Sequence, residues 1–96
     1  MIKERVFNSY VNNVTKKLRV PKEDIFTNTK KRSVVDARSI IYYLCYKRDI
    51  RISYIKDYMT RNGYEPPHSC IHYGINQMKN RIDTDQDYME LIERLK

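Results

Sequence analysis

The sequence has few of the residues that build turns, with two glycines and three prolines in 96 positions. A many-stranded sandwich or barrel needs frequent turns, so this shortage disfavours such folds. No run of about eighteen apolar residues is present, which excludes a membrane-spanning helix. The start of the chain, MIKERVFNSY, lacks the apolar stretch of a secretory signal, and two cysteines are too few for a disulfide framework. We therefore expect a cytoplasmic protein.

Positive charge is unevenly distributed along the chain, whose formal net charge is +7. Residues 1–51 hold 13 Lys and Arg against 5 Asp and Glu, a balance of +8, whereas residues 52–96 hold 6 against 7, a balance of −1. A chain of this length is expected to form one domain, residues 1–96. A basic surface favours a polyanion because neutralising phosphates releases counterions. The charge therefore indicates nucleic-acid binding, with the acidic end, 83–96, facing away.

Apolar residues recur at helical spacing, which predicts an all-α fold of about five main helices and one short helical turn. The first helix ends before Val20-Pro21, and the segment PKEDIF forms the short turn. The second long helix begins at Ser33 as N-cap and stops near residues 47–49. In this register Arg38 lies off the buried stripe of that helix.

Three more helices are predicted in the second half of the chain. Ser53 is the N-cap candidate of a short helix, and Gly63 supplies its stop because glycine readily adopts the left-handed conformation. A longer helix runs over about residues 67–81, and Thr84 or Asp85 caps the last one.

Residues 53–82 thus place a short helix, a turn and a longer helix in helix-turn-helix order, with the longer helix as the candidate reader of DNA. Small or polar side chains at its start suit contact with base edges in a major groove: His68, Ser69, Cys70 and His72. The alternative is that His68 and Ser69 only cap the helix.

A basic run precedes the second long helix. Lys30, Lys31 and Arg32 are consecutive, and Arg38 follows on the helix. Such a loop can reach a minor groove or straddle phosphates, although most charge runs are simply solvated. The basic run and the reader helix support one function only if the fold places them on one face.

Three segments, KRSVVDARSIIYYL, ISYIKDYM and HSCIHYGINQM, resemble in order and spacing the C-terminal DNA-binding domain of the bacterial replication initiator DnaA. With VPKEDIF before them and LIERL at the end, the resemblance covers about residues 5–95. It implies a Trp-repressor-like helical fold that binds double-stranded DNA, at a DnaA-box-like or A/T-rich site, in replication or transcription control. A freestanding copy fits a phage or mobile-element protein acting at the nucleoid in the host cytoplasm.

The resemblance also implies roles for individual residues. The family's base-reading histidine and hydroxyl fall on His68 and Ser69, its next hydroxyl falls on Cys70, and its minor-groove loop falls on residues 30–32. The family's helix-borne arginine, its neighbouring polar position and its phosphate contacts fall on Arg38, Ser39, Arg51, Ser53 and Lys56. The nine tyrosines are expected mainly to pack half-buried between helices, with Tyr73 or Tyr64 the best candidates for phosphate contact.

Two departures from the family bear on base specificity. The segment RNGYEPP makes the turn about four residues longer, and Pro67 and Lys56 stand where the family has Asp and Gly. The glycine-rich phosphate-binding loop of ATP-driven proteins is absent, so no nucleotide and no cofactor are expected.

Other functions fit the sequence less well than DNA binding. His68 and His72 have the spacing of a zinc-protease motif, but Ser69 occupies the position of its catalytic Glu, so no metal is expected. Neither Cys45 nor Cys70 is accompanied by oxyanion-hole glycines, so an enzyme is not expected. RNA binding is not favoured, because the predicted fold has no sheet that could carry aromatic side chains for base stacking. The main alternative is a basic helical module that binds an acidic host replication or transcription protein.

Overall fold

The computed structural model describes residues 2–95, which form six helices and no strand. The helices are α1 (Ile2–Leu18), α2 (Lys22–Ile25), α3 (Arg32–Lys47), α4 (Ile52–Arg61), α5 (His68–Thr84) and α6 (Gln86–Leu95). The all-α prediction is confirmed, including the short helical turn at α2. Within this range no helix has the length and apolar character needed to cross a bilayer.

Three helices end in the same way, with one residue of positive φ followed by a residue whose N–H bonds back five positions. Gly63 (φ 115°) ends α4 as predicted. Arg19 (φ 57°) and Asp49 (φ 62°) do the same for α1 and α3 without being glycine. The bonds run from Val20 N to Thr15 O, Ile50 N to Cys45 O and Tyr64 N to Met59 O, at 3.0, 3.0 and 3.2 Å. An apolar residue after the left-handed one is typical of this cap, because it packs back onto the helix.

The predicted N-caps are correct for one helix and wrong for two. α3 begins at Arg32 and α4 at Ile52, so Ser33 and Ser53 lie inside the helices, and no side-chain hydrogen bond caps either one. Extended backbone at the residue before each helix sets the start instead, and exposed first-turn N–H groups can bond to water. Asp85 does cap α6, since its Oδ1 accepts from the backbone N of Asp87 at 2.9 Å.

Helix α3 lies at the centre of the fold and packs against α1, α2, α4 and α5. Gly74 of α5 lies close to α3, where a Cβ on it would be 3.1 Å from Ser39 Oγ and 3.3 Å from Tyr42 Cδ2. The small residue therefore lets the two helices approach. This crossing sets the position of α5 relative to α3.

The two cysteines differ in exposure, which predicts a difference in thiol chemistry. Cys45 is fully buried in the core, and burial raises the pKa of its thiol from 9.0 to about 12, whereas Cys70 is exposed. Because the thiolate is the nucleophile, an alkylating reagent at pH 8 should modify one thiol per folded chain, and the second only after denaturation. Mass spectrometry of the labelled chain checks this, and rapid double labelling of the folded chain would contradict it. Since unfolding lets Cys45 ionise, its contribution to stability should decline as the pH rises from about 9 towards 12.

Candidate nucleic-acid interface

A groove of about 800 Å³ lies between the start of α3, the connection from α4 to α5, and one face of α5. Lys30 and Arg32 line it from the basic run, and Ser69, Cys70 and Tyr73 line it from the first turns of α5. The fold therefore brings the basic run and the start of the candidate reader helix to one surface. We call this surface, with the lining residues given below, the α3–α5 groove.

About half of the predicted site residues line the α3–α5 groove. They are Lys30, Arg32, Arg38, Ser39, Ser69, Cys70 and Tyr73. The groove does not include Lys31, Arg51, Ser53, Lys56, His68 or His72. All of these are exposed except Lys56, which is half-buried and lies 3.7 Å from the carboxylate of Glu65.

Sequence reasoning did not assign to the site several residues that line the groove. They are Val35, Asp36, Tyr42, Pro66, Gly74, Gln77 and Arg81, and Tyr64, named above as a candidate for phosphate contact, lines the groove as well. A periodic signal for them exists on α3, where Arg32, Val35, Ser39 and Tyr42 follow one another at intervals of three, four and three. This second stripe lies beside the apolar core stripe and mixes polar with apolar side chains, so hydrophobic periodicity alone does not reveal it.

The groove carries free positive charge at its α3 end and a neutralised pair at its far end. Lys30 and Arg32 are exposed there. Arg81 is instead paired with Asp36, Nη1 to Oδ1 at 3.1 Å, and it also donates to the Tyr88 hydroxyl at 3.2 Å. The hydrogen bond to Asp36 raises the pKa of Arg81, and the Asp36 carboxylate offsets the positive charge of this guanidinium.

Lys31 and Arg32 occupy an electrostatically unfavourable position in the helix. Lys31 is the N-cap residue of α3 and Arg32 its first residue, and the first turn contains no acidic side chain. Cations are disfavoured at a helix N-terminus, each typically by about 0.3–1 kcal/mol when exposed. The two cations therefore do not stabilise the helix. Residues that break a local rule in this way are typical of functional sites.

Apolar surface is also exposed along the groove. Tyr73 is 66 % exposed and Val35 39 %, and Gln77 donates a hydrogen bond to the Tyr73 hydroxyl. The exposed Cys70 lies on the same face of α5, one turn before Tyr73. The wall formed by α5 therefore offers an aromatic ring, a thiol and a hydroxyl opposite the two cations of the basic run.

Arg38 differs most from its predicted placement. The prediction that it lies off the buried stripe is wrong, because the side chain is only 6 % exposed and points under the loop that precedes α3. The signal was present in the sequence: Val34 and Ile41 stand four residues before and three after Arg38, which is the spacing of one helical face. Four backbone carbonyls between residues 24 and 29 accept from its guanidinium, so Arg38 has little capacity left for a phosphate.

The acidic last helix meets the α3–α5 groove at its far end, where the Tyr88 hydroxyl accepts from Arg81 at 3.2 Å. Within residues 2–95, no side chain of α6 lines it. Nor do the described residues include a group of three or more His, Cys, Asp and Glu side chains that could hold a metal ion. No protein-family model, curated protein or solved structure matches the chain. The likeness to the DnaA domain therefore stays a prediction.

Proposed function

We propose that this protein binds double-stranded DNA through the α3–α5 groove, with the start of α5 in the major groove and the basic run at an adjacent minor groove or its phosphates. The observation that carries the proposal is that one surface combines Lys30 and Arg32 with Ser69, Cys70 and Tyr73. Cations supply affinity by counterion release, and short polar side chains on a helix read base edges.

Dimensions and connectivity support this mode of binding. An α-helix about 10–12 Å across fits a major groove about 12 Å wide. Helices α4 and α5 are in contact and are joined by residues 62–67, in the order of a helix-turn-helix. The long connection does not stand away from the site, because Tyr64 and Pro66 form part of the groove wall. This arrangement, together with the DnaA-like segments, favours a sequence-specific reader involved in replication or transcription control.

The free first turn of α5 fits a role in base reading. His68, Ser69 and His72 are exposed, and no side-chain hydrogen bond caps the helix. Pro67 occupies the N-cap position of α5. This observation disfavours the alternative that His68 and Ser69 serve only as helix caps. Their donors and acceptors remain available to a base edge.

A salt titration of duplex binding tests the proposal. Fluorescence anisotropy with an A/T-rich DnaA-box duplex and a scrambled duplex should give affinities that fall steeply with salt, with a slope of about −0.9 for each phosphate neutralised. The paired substitution His68→Ala and Ser69→Ala should reduce the preference for the better duplex by about 10- to 100-fold, the value of one good base contact, without changing the slope. The exposed Asn13→Ala on α1 is the control, since Asn13 lies on a helix that does not contribute to the groove.

The opposite results are equally specific. Absence of duplex binding at low salt contradicts the proposal and favours an acidic protein partner for the basic surface. If the doubly substituted protein keeps its full preference for the better duplex, DNA binding stands, but the start of α5 does not read the bases.

A further inference from the structure

The guanidinium of Arg38 is the centre of a hydrogen-bond cluster beneath the basic run. Its Nε donates to Ile25 O at 3.0 Å and its Nη1 to Thr29 O at 2.9 Å. Its Nη2 donates to Asp24 O at 3.2 Å and to Thr27 O. A single side chain thus binds carbonyls from the end of α2 to the residue just before Lys30.

Apart from the bonds to Arg38, the loop over residues 27–31 has one side-chain hydrogen bond of ordinary length, from Thr27 Oγ1 to Asp24 O at 3.0 Å, and two long contacts. Thr29 N lies 3.5 Å from Thr27 Oγ1, and Lys31 N lies 3.4 Å from Thr29 Oγ1. Both distances exceed the usual range of about 2.7–3.2 Å for an N–H···O bond. The bonds from Arg38 are shorter and charge-assisted, which makes them roughly twice as strong as neutral ones. The conformation of this loop therefore depends mainly on Arg38.

Arg38 also contacts the connection that leads into α5. Its guanidinium carbon lies 4.8 Å from the ring centroid of Tyr64, which is within cation–π range. Beside Tyr64, the backbone at Gly63 comes close to the carbonyl of Phe26, 3.5 Å from where a Cβ would lie. The basic loop and the α4–α5 connection therefore meet at Arg38, although they are far apart in sequence.

We propose that Arg38 is a positioning residue that holds the basic loop and the start of α5 at a fixed separation, so that both engage one duplex together. This inference rests on the proposed function. Arg38 itself makes no DNA contact: it acts through Lys30 and Arg32, which the loop presents, and through Tyr64, which stands four residues before α5. Removing its guanidinium should uncouple the loop from the helix.

A binding cycle combined with hydrogen exchange tests the role of Arg38. In the unsubstituted protein, Lys30→Ala with Arg32→Ala should weaken duplex binding about tenfold or more, because two phosphate contacts are lost. In the Arg38→Met background the same pair should cost less than about threefold, since a disordered loop already contributes little. Amide exchange over residues 27–31 should rise in Arg38→Met and stay unchanged in α5.

Two further variants separate positioning from general destabilisation. Val14→Ala removes buried core volume in α1 and lowers stability without touching the groove, so it should leave the cost of the loop pair unchanged. Where Arg38→Met is too unstable to fold, Arg38→Lys serves in its place, because one ammonium cannot span four carbonyls and should loosen the loop in the same direction.

The failures of the two proposals are distinguishable. If the loop pair costs the same in both backgrounds, or if exchange over residues 27–31 does not change, the positioning role is overturned while DNA binding stands. If the unsubstituted protein does not bind duplex at all, the proposed function fails, and the exchange measurement alone still decides whether Arg38 orders the loop.

Discussion

Reversing the charge at Lys30 and Arg32 to glutamate should weaken duplex binding by at least about 100-fold at moderate salt, since two phosphate attractions become repulsions. The fold should survive the change. Both side chains are exposed, and a glutamate at the first position of α3 suits the helix dipole better than Arg32 does. Thermal unfolding should therefore occur at the same or a slightly higher temperature, while affinity falls.

A control with equal charge makes that result interpretable. Arg5→Glu with Lys16→Glu changes the net charge by the same amount, from +7 to +3 in each case, at exposed positions on α1. Within residues 2–95, no side chain of α1 lines the α3–α5 groove. We expect the control pair to cost less than about tenfold, through the general field of the molecule alone. Equal losses from the two pairs would show that the attraction is diffuse and that the groove has no special part in it.

Gly74→Val should destabilise the protein by overpacking the crossing of α3 and α5. A Cβ at this position meets Ser39 Oγ at 3.1 Å and Tyr42 Cδ2 at 3.3 Å, and the two γ-methyl groups of valine add further volume to a closed crossing. Overpacking of this kind costs about 1–3 kcal/mol, which corresponds to a loss of roughly 5–20 °C in the unfolding temperature of so small a domain. The affinity for DNA should fall as well, because the added side-chain volume moves α5 away from the start of α3.

Gly74→Ala and Asn76→Ala are the controls for the effect of Gly74→Val on the unfolding temperature. For Gly74→Ala, helix propensity favours alanine by about 1 kcal/mol, and the tight contact with Ser39 opposes it, so the net change should be small. Asn76 is exposed, and Asn76→Ala should be neutral or slightly stabilising. An unfolding temperature for Gly74→Val equal to that of the unsubstituted protein would contradict the close crossing of α3 and α5.

The helices could be predicted from the sequence because they depend on local patterns. Apolar spacing located the five longer helices, Pro21 marked the short helix α2, and Gly63 marked the end of α4. The ends of α1 and α3 use the same cap with Arg19 and Asp49, whose left-handed backbone is stabilised by the buried residue that follows each of them, Val20 and Ile50. Residue preference alone does not signal such a cap, since it depends on where the following side chain packs.

The candidate site could be predicted only in part because it is assembled from distant segments. The basic run and the start of α5 were recognisable by residue type, but their common surface results from the crossing at Gly74. Arg38 was misplaced because its charge suggested exposure, although its spacing from Val34 and Ile41 put it on the buried face. Its burial is possible because the carbonyls of the preceding loop satisfy the guanidinium, a long-range arrangement that periodicity does not encode.

Protection of Cys70 by bound DNA tests most directly whether the α3–α5 groove is the DNA-binding surface. Cys70 lines the groove and is exposed, while Cys45 is buried, so the alkylation rate of the folded protein reports on this surface alone. With free duplex at about ten times its Kd, labelling of Cys70 should slow about tenfold, and high salt should restore the original rate. An unchanged labelling rate for Cys70, in a sample whose anisotropy shows the duplex bound, would contradict the proposed interface.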